Sequence, residues 1–363
     1  MILITEKVVC YWGSWAAYRP GDGQFTFKHI DPTICTHIVY SFFGATADGS
    51  VKSLDDWLDN QKDGGYMKHF MELKSKNPNV KLLASIGGWN AKSMLFSGIA
   101  ANPAIRTKFA QNVANFCNHH GFDGFDLDWE YPSQRDSNQA QDKENFTLLL
   151  KDLKKALGSK SLSIATASAK SSAEKSYNIA EVAAIVDFVN LMTYDLHGVW
   201  DEKTGINAPL YAGPDQNKEL NVEAGVNYWL SKGCPSNKII LGIPTYGRSF
   251  TLANPSNNGI NAAITGGGTA GPFTRQAGML GYNEICINKW PRKWENQQQV
   301  PYAVKGNQWV GYDDVESVKI KCNFINQKNL GGAMFWSLET DDFLGKGGQG
   351  RFPLITAAYD MFY

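Results

Sequence analysis

The sequence has no C-x-x-C pair, no excess of charge and no long apolar run, and each absence removes a class of function. Six cysteines stand at 10, 35, 117, 234, 286 and 322, an even count without the spacing of a zinc site. Thirty-five basic residues cancel 35 acidic ones, which argues against nucleic acid or a membrane surface as partner. No stretch approaches the ~18–20 apolar residues of a membrane span. The opening MILITEKVV is too short for the charged, apolar and cleavage regions of a signal peptide, so none is visible in this chain. Six histidines lie scattered: His119 and His120 read as surface or a helix cap, and His197 either lines a groove or braces a loop. The GGG at 266–268 lacks the Lys-Ser/Thr that follows a phosphate loop.

What is present is alternation. Short apolar runs near 7–12, 37–43, 81–87, 123–130, 161–167, 188–195, 239–246 and 332–338 read as strands. Amphipathic helical patterns separate them, which is the pattern of a parallel sheet wound with helices. Ile105, Phe109, Val113, Phe116 and His120 recur at helical spacing between Pro103 and Gly121, and Phe146, Leu149, Leu150, Leu153 and Leu157 do so before Gly158. Eight strands predict a closed (β/α)8 barrel, an architecture that runs to this length as one unit. The interval from about 246 to 332 is too long for a loop and one helix. Its segment 250–313, rich in Gly, Asn, Gln and Trp, reads as a small inserted α+β domain between strands seven and eight. The barrel then comprises 1–249 and 314–363.

The strongest chemical signal is DGFDLDWEYP at 123–132. In a strand, side chains two apart share a face, so Asp126, Asp128 and Glu130 stand in line about 6–7 Å from one another. Like charges on one face repel, and such a cluster holds a shared proton at neutral pH. A held proton is a general acid. Phe125, Leu127 and Trp129 face the other way and pack, as a strand sheathed by helices requires. A solvated edge strand would not be this apolar. Carboxylates also suit Mg²⁺, Ca²⁺ or Mn²⁺, but no His or Asn joins the cluster locally, and neither metal nor cofactor is expected.

The segment resembles the DxxDxDxE signature of glycoside hydrolase family 18, the retaining chitinases and their relatives. VVCYWGSWAAYRPGDGQF near the N-terminus is similar to that family's first strand and loop. SIGGW at 85–89, MTYD at 192–195, GIPTYGRSF at 242–250 and GGAMFWSLETDDF at 331–343 resemble its third, sixth, seventh and eighth strands. The six motifs keep their order over nearly the whole chain.

The resemblance implies hydrolysis of chitin or N-acetylglucosamine oligosaccharides, endo-acting and with retention. Glu130 is then the acid that protonates the glycosidic oxygen, Asp128 stabilises the substrate's acetamido N–H, Asp126 holds Asp128, and Tyr194 donates to the acetamido oxygen. In this family the substrate's own acetamido carbonyl replaces the second carboxylate as nucleophile. Trp336 matches the floor under the sugar being cleaved, beside Met334. Trp89 and Trp200 match platforms on the leaving-group side, and Trp15 one further along the other side. Tyr11, Met192, Asp195, Tyr246 and Arg248 match pocket residues, and Phe42 and Tyr131 fall at matching positions. Aromatic planes suit the apolar faces of sugar rings. Trp12 stands where the family has a smaller aromatic.

The resemblance also implies a Cys10–Cys35 bridge and a secreted, extracellular monomer with no nucleic acid or membrane partner. Cys286 sits where a bridged cysteine is common, but its usual partner is replaced by LGKGGQG at 344–350, leaving Cys322 as a substitute partner or a buried helix residue. Cys117 and Cys234 read as free core thiols. Asn145 opens a sequon. Two other activities fit the same barrel: a lectin-like chitin-binding protein and an endo-β-N-acetylglucosaminidase acting on N-glycans.

Overall fold

The computed structural model describes residues 6–363. Eight parallel strands, Lys7–Gly13, His37–Ala45, Lys81–Gly87, Gly124–Asp128, Ser161–Ala167, Phe188–Met192, Ile239–Pro244 and Gly332–Trp336, pair in sequence order. The first strand also pairs with the eighth, from Lys7 against Gly332 to Cys10 against Phe335, which closes the barrel. Period-two alternation sorts each strand's residues between two cores. Val9, Tyr11, Val39, Leu83, Ala165, Phe188, Met192, Ile240 and Met334 fill the interior. Their neighbours Val8, Cys10, Trp12, Ile38 and Tyr40 point outward into the layer beneath the helices.

The helices begin and end where the sequence places its caps. The Asn102 carboxamide accepts from the backbone amides of Ala104 and Ile105 at 3.0 and 3.3 Å at the head of helix Pro103–His120. Gly121 follows with φ +82, a left-handed cap that glycine adopts without a side-chain penalty. Phe109, Val113 and Cys117 form the buried face of that helix, and His119 and His120 are its last two residues. Helix Asp142–Leu157 buries Phe146, Leu149, Leu150, Leu153 and Leu157 before Gly158.

The long interval holds a six-stranded antiparallel sheet. Its central strand, Tyr246–Leu252, pairs with Ile264–Gly267, Met279–Gly281 and Gln308–Gly311, and Val300–Lys305 and Arg292–Glu295 extend it. Helix Tyr282–Ile287 lies in the same interval. Ile206, Phe250, Leu252, Ala262, Val300 and Trp309 form a core of its own. The sheet begins at Tyr246, two residues past the seventh barrel strand, so Tyr246 and Arg248 belong to it.

Cys10 and Cys35 are disulfide-bonded. The substitute pairing of Cys286 with Cys322 does not form: both are free, and Cys322 is buried on the inner face of helix Val315–Lys328. Cys286 instead faces Gly347, where an added Cβ would stand 2.6 Å from its Sγ. Cys117 and Cys234 are free and buried. Trp12 fits without a groove role, fully buried against Phe25, Tyr40, Tyr66 and Phe70.

Candidate active site

The fourth strand ends at Asp128, two residues earlier than the sequence pattern suggests, so Glu130 stands beyond the strand in the turn that follows. The alternation survives this correction. Phe125, Leu127 and Trp129 enter the outer core, with Trp129 packed on Phe96 and Phe146 and donating from Nε1 to Ser93 Oγ at 2.7 Å. Asp126 and Asp128 point into the barrel and Glu130 reaches its mouth.

Asp126 is fully buried and accepts four hydrogen bonds. Tyr11 and Ser85 donate to Oδ2 at 2.9 and 2.8 Å, and Ser163 and Asn190 to Oδ1 at 2.7 and 3.2 Å. Barrel register brings this ring together, because Ser85, Asp126 and Ser163 are direct partners on strands three, four and five. Asp128 has no such support: its Oδ1 finds no partner among the described residues. Removing a carboxylate from water costs several kcal/mol, and a hydrogen bond to a charged group returns about 1.5–3 kcal/mol. Four such bonds offset much of that cost for Asp126. Asp128, with none at Oδ1 and an acid on either side, keeps the proton.

Titration follows that division. Burial raises the Asp126 carboxyl, and its donors from Ser163, Ser85, Tyr11 and Asn190 offset that only in part. Burial first, then the charges of Glu130 and Asp126, drive Asp128 well above the usual carboxylate range. Glu130 is pushed up to about 7, chiefly by burial and also by the Asp195 charge, against the lowering pull of the Tyr131 hydroxyl and Arg135. The proton predicted for the cluster therefore rests on Asp128, with Glu130 poised near neutrality.

A cleft of about 650 Å³ opens above these acids, bounded by Tyr11, Trp15, Phe42, Trp89, Tyr131, Met192, Tyr194, Asp195, Trp200, Tyr246, Arg248 and Trp336. Trp336 forms its aromatic floor, with the rings of Tyr11, Phe42 and Trp15 5.6, 5.6 and 6.1 Å away. Met334 lies below, fully buried, 3.8 Å from the Tyr194 hydroxyl. Asp195 Oδ1 accepts from Tyr246 Oη and Arg248 Nε, each at 2.7 Å, and the Arg248 guanidinium stands 5.3 Å over the Trp200 ring. Trp15, Trp89 and Trp200 are 41, 60 and 55% exposed, so their ring faces are open to the cleft. Every residue named from the sequence as catalytic or binding thus borders this cleft or lies directly beneath it.

His197 does not border it. Its Nδ1 meets Asp201 Oδ2 at 3.0 Å and the ring is buried, so it braces the loop that carries Trp200. Sequence reasoning missed Ser85, Ser163 and Asn190, whose signal was their inward position level with Asp126. It also missed Glu339 and, from the inserted sheet side, Gln276 and Met279, all of which line the cleft. Glu339 is held by Ser337 Oγ at 2.6 Å and the Gly13 amide at 3.1 Å. A second cavity of about 780 Å³ shares Trp15, Phe42, Trp89, Asn90 and Trp336 and continues past Leu54, Asp55 and Leu58, so the groove is longer than the catalytic cleft.

A proton held on a graded row of buried acids, over an aromatic floor at the carboxyl end of an α/β barrel, is the equipment for cleaving a glycosidic bond. Comparison with known proteins agrees. The family model "Glycosyl hydrolases family 18" matches residues 7–341, and the chain belongs to that family. It is 41% identical over 366 residues to Chitotriosidase-1 of Mus musculus, covering 97% of this chain and 77% of the relative. It is 40% identical to an endochitinase of Manduca sexta, covering 96% of this chain and 66% of the relative. The crystal structure of the Ostrinia furnacalis Group IV chitinase in complex with allosamidin superposes with a TM-score of 0.94 at 42% identity, covering 97% of each chain.

Proposed function

We propose that the protein is an endo-acting chitinase that hydrolyses β-1,4-linked N-acetylglucosamine in chitin and chitooligosaccharides, with retention and by substrate assistance. The observation that carries this reading is a graded row of acids at the end of one strand: Asp126 fully buried and held by four donors, Asp128 with no partner at Oδ1, and Glu130 at the mouth of the cleft, its carboxyl pushed up to about 7 chiefly by burial.

Glu130 protonates the glycosidic oxygen, and its carboxyl is in the acid form below about pH 7. A protonated Asp128 is no nucleophile. It offers a hydrogen-bonding group to the acetamido arm, and as Glu130 gives up its proton a neutral Asp128 spares the new carboxylate a like charge beside it. The acetamido carbonyl closes on the anomeric carbon, Tyr194 donates to it, and Glu130 then takes a proton from the incoming water. Trp336 supports the distorted sugar from below. Asp195, fixed by Tyr246 and Arg248, borders the same space.

The continuous groove supports internal binding along a polymer and hence the endo reading. The inserted sheet acts as a wall on one side, contributing Tyr246, Arg248 and Met279. Oxidising conditions suit the Cys10–Cys35 bridge, and no described helix is long and apolar enough to cross a membrane. We place the protein outside the cell, acting as a monomer. The lectin-like alternative lacks support because the acid Glu130 is present and raised toward neutrality. Incubation with N-acetylglucosamine hexamer and, separately, with a high-mannose glycoprotein tests the assignment. The hexamer is expected to yield shorter oligomers while the glycoprotein keeps its glycans. Release of glycans with an intact hexamer would assign the N-glycan activity, and binding without turnover the lectin.

A further inference from the structure

Two loops form the leaving-group side of the cleft, and the barrel's backbone pairing joins them only at their base, where the Gly88 amide donates to the Asp128 backbone oxygen at 2.9 Å. One follows the third strand and carries Trp89. The other follows the fourth and carries Glu130. Their fastening is a side-chain clasp in the turn after Glu130. Arg135 Nη1 donates to the backbone oxygen of Trp89 at 2.9 Å and to that of Glu130 at 2.8 Å. Its guanidinium also lies 3.8 Å from the centre of the Trp89 ring. The next residue, Asp136, accepts from the amides of Ser93 and Met94 at 2.9 and 3.3 Å, and Ser93 Oγ donates to the Tyr131 backbone oxygen at 2.8 Å. Arg135 adopts φ +64, in the left-handed region that non-glycine residues seldom use, so its contacts hold the turn.

We infer that Arg135 is a positioning residue for the reaction, fastening the Trp89 platform to the backbone of Glu130 so that the leaving sugar and the acid meet in one geometry. The inference rests on the chitinase reading of the cleft. Trp89 is an exposed indole that would otherwise be free to rotate. With the guanidinium on one face, the opposite face is the one a sugar can stack on. The same side chain ties that plane to the residue that must reach the glycosidic oxygen, and positioning of this kind is worth large factors in rate.

The cation has a second, electrostatic consequence. Glu130 faces Asp128 at the end of the strand before it, Asp195 after the sixth, and the phenols of Tyr131, Tyr177 and Tyr194, and Arg135 opposes the acidic neighbours. Since a nearby cation favours the carboxylate, its removal raises the pH at which Glu130 loses its proton. The alkaline limb of the rate profile then moves upward.

The test compares the parent with Arg135→Ala and Arg135→Lys on N-acetylglucosamine hexamer, reading kcat, KM, the ratio of dimer to trimer products and the pH profile. Arg135→Ala should raise KM about three- to tenfold, shift the product ratio and move the alkaline limb up by about half a pH unit. Arg135→Lys keeps the charge but not the planar stack, so it should restore the limb while leaving KM and product ratio altered. Values of KM and product ratio within twofold of the parent for Arg135→Ala would overturn the inference, whatever happens to Tm or to the limb. A parent that leaves the hexamer intact would instead sink the functional reading, and this inference with it.

Discussion

Glu130→Gln is expected to abolish hydrolysis of N-acetylglucosamine hexamer while leaving the protein folded and able to bind the oligomer. The amide keeps the shape of the protonated carboxyl and fills the same place at the cleft mouth, but it has no acid proton to give. General acid catalysis is worth about 10²–10⁴-fold, and Glu130 also acts as base toward water in the second step, so the loss in kcat should reach the upper part of that range. Binding should change little, because the aromatic floor of Trp336, Phe42 and Trp15 and the platforms Trp89 and Trp200 remain. Isothermal titration with the variant, alongside a stopped assay of products, separates the two effects. Hydrolysis within threefold of the parent would remove Glu130 from the role.

Substrate lacking N-acetyl groups should fare as badly. The inner acids leave the enzyme without a nucleophile of its own: Asp126 is fully buried and saturated by four donors, and burial with the charges beside it holds the proton on Asp128. The acetamido carbonyl of the substrate is therefore the group that attacks. Its placement within the bound sugar supplies the intramolecular advantage that a free nucleophile lacks, which in model reactions reaches about 10⁵ M or more in effective concentration. Glucosamine hexamer, which has amines in place of acetamides, should be cleaved at least ~10²-fold more slowly at equal occupancy. Equal rates on the two hexamers would show that a protein carboxylate does the attacking and that Asp128 is ionised when it matters.

The barrel and most of the site were legible because both are written in period two. Strand alternation separates Asp126 and Asp128 from Phe125, Leu127 and Trp129 in the sequence, and the same alternation separates inner from outer core in the fold. Where the rule ends, the reading slipped. The fourth strand stops at Asp128 and Glu130 lies in a turn, because the backbone is already leaving the barrel there. The inserted sheet starts at Tyr246 rather than near 250, since a strand that closes one unit and a strand that opens the next look alike in sequence.

Contacts across long separations were not visible at all. Ser85, Ser163 and Asn190 reach Asp126 only through barrel register. Arg135 reads as an ordinary loop residue until its guanidinium is found over Trp89. Cys286 and Cys322 both sit at plausible pairing positions along the chain, yet one faces Gly347 and the other the core. The Cys10–Cys35 bridge was expected from the family resemblance alone, and the structure forms it where adjacent strands bring the two cysteines close.

The anomer released first is the most direct test of the central claim. Double displacement through the acetamido group preserves configuration at the anomeric carbon, whereas direct attack by water on the opposite face inverts it. Proton NMR of N-acetylglucosamine hexamer mixed with the enzyme, read before mutarotation scrambles the signal, distinguishes the two. The account predicts that the new reducing ends appear first as the β anomer and only later equilibrate. An initial α product would contradict it, and with it the assignment of Glu130, Asp128 and Tyr194 to a substrate-assisted mechanism.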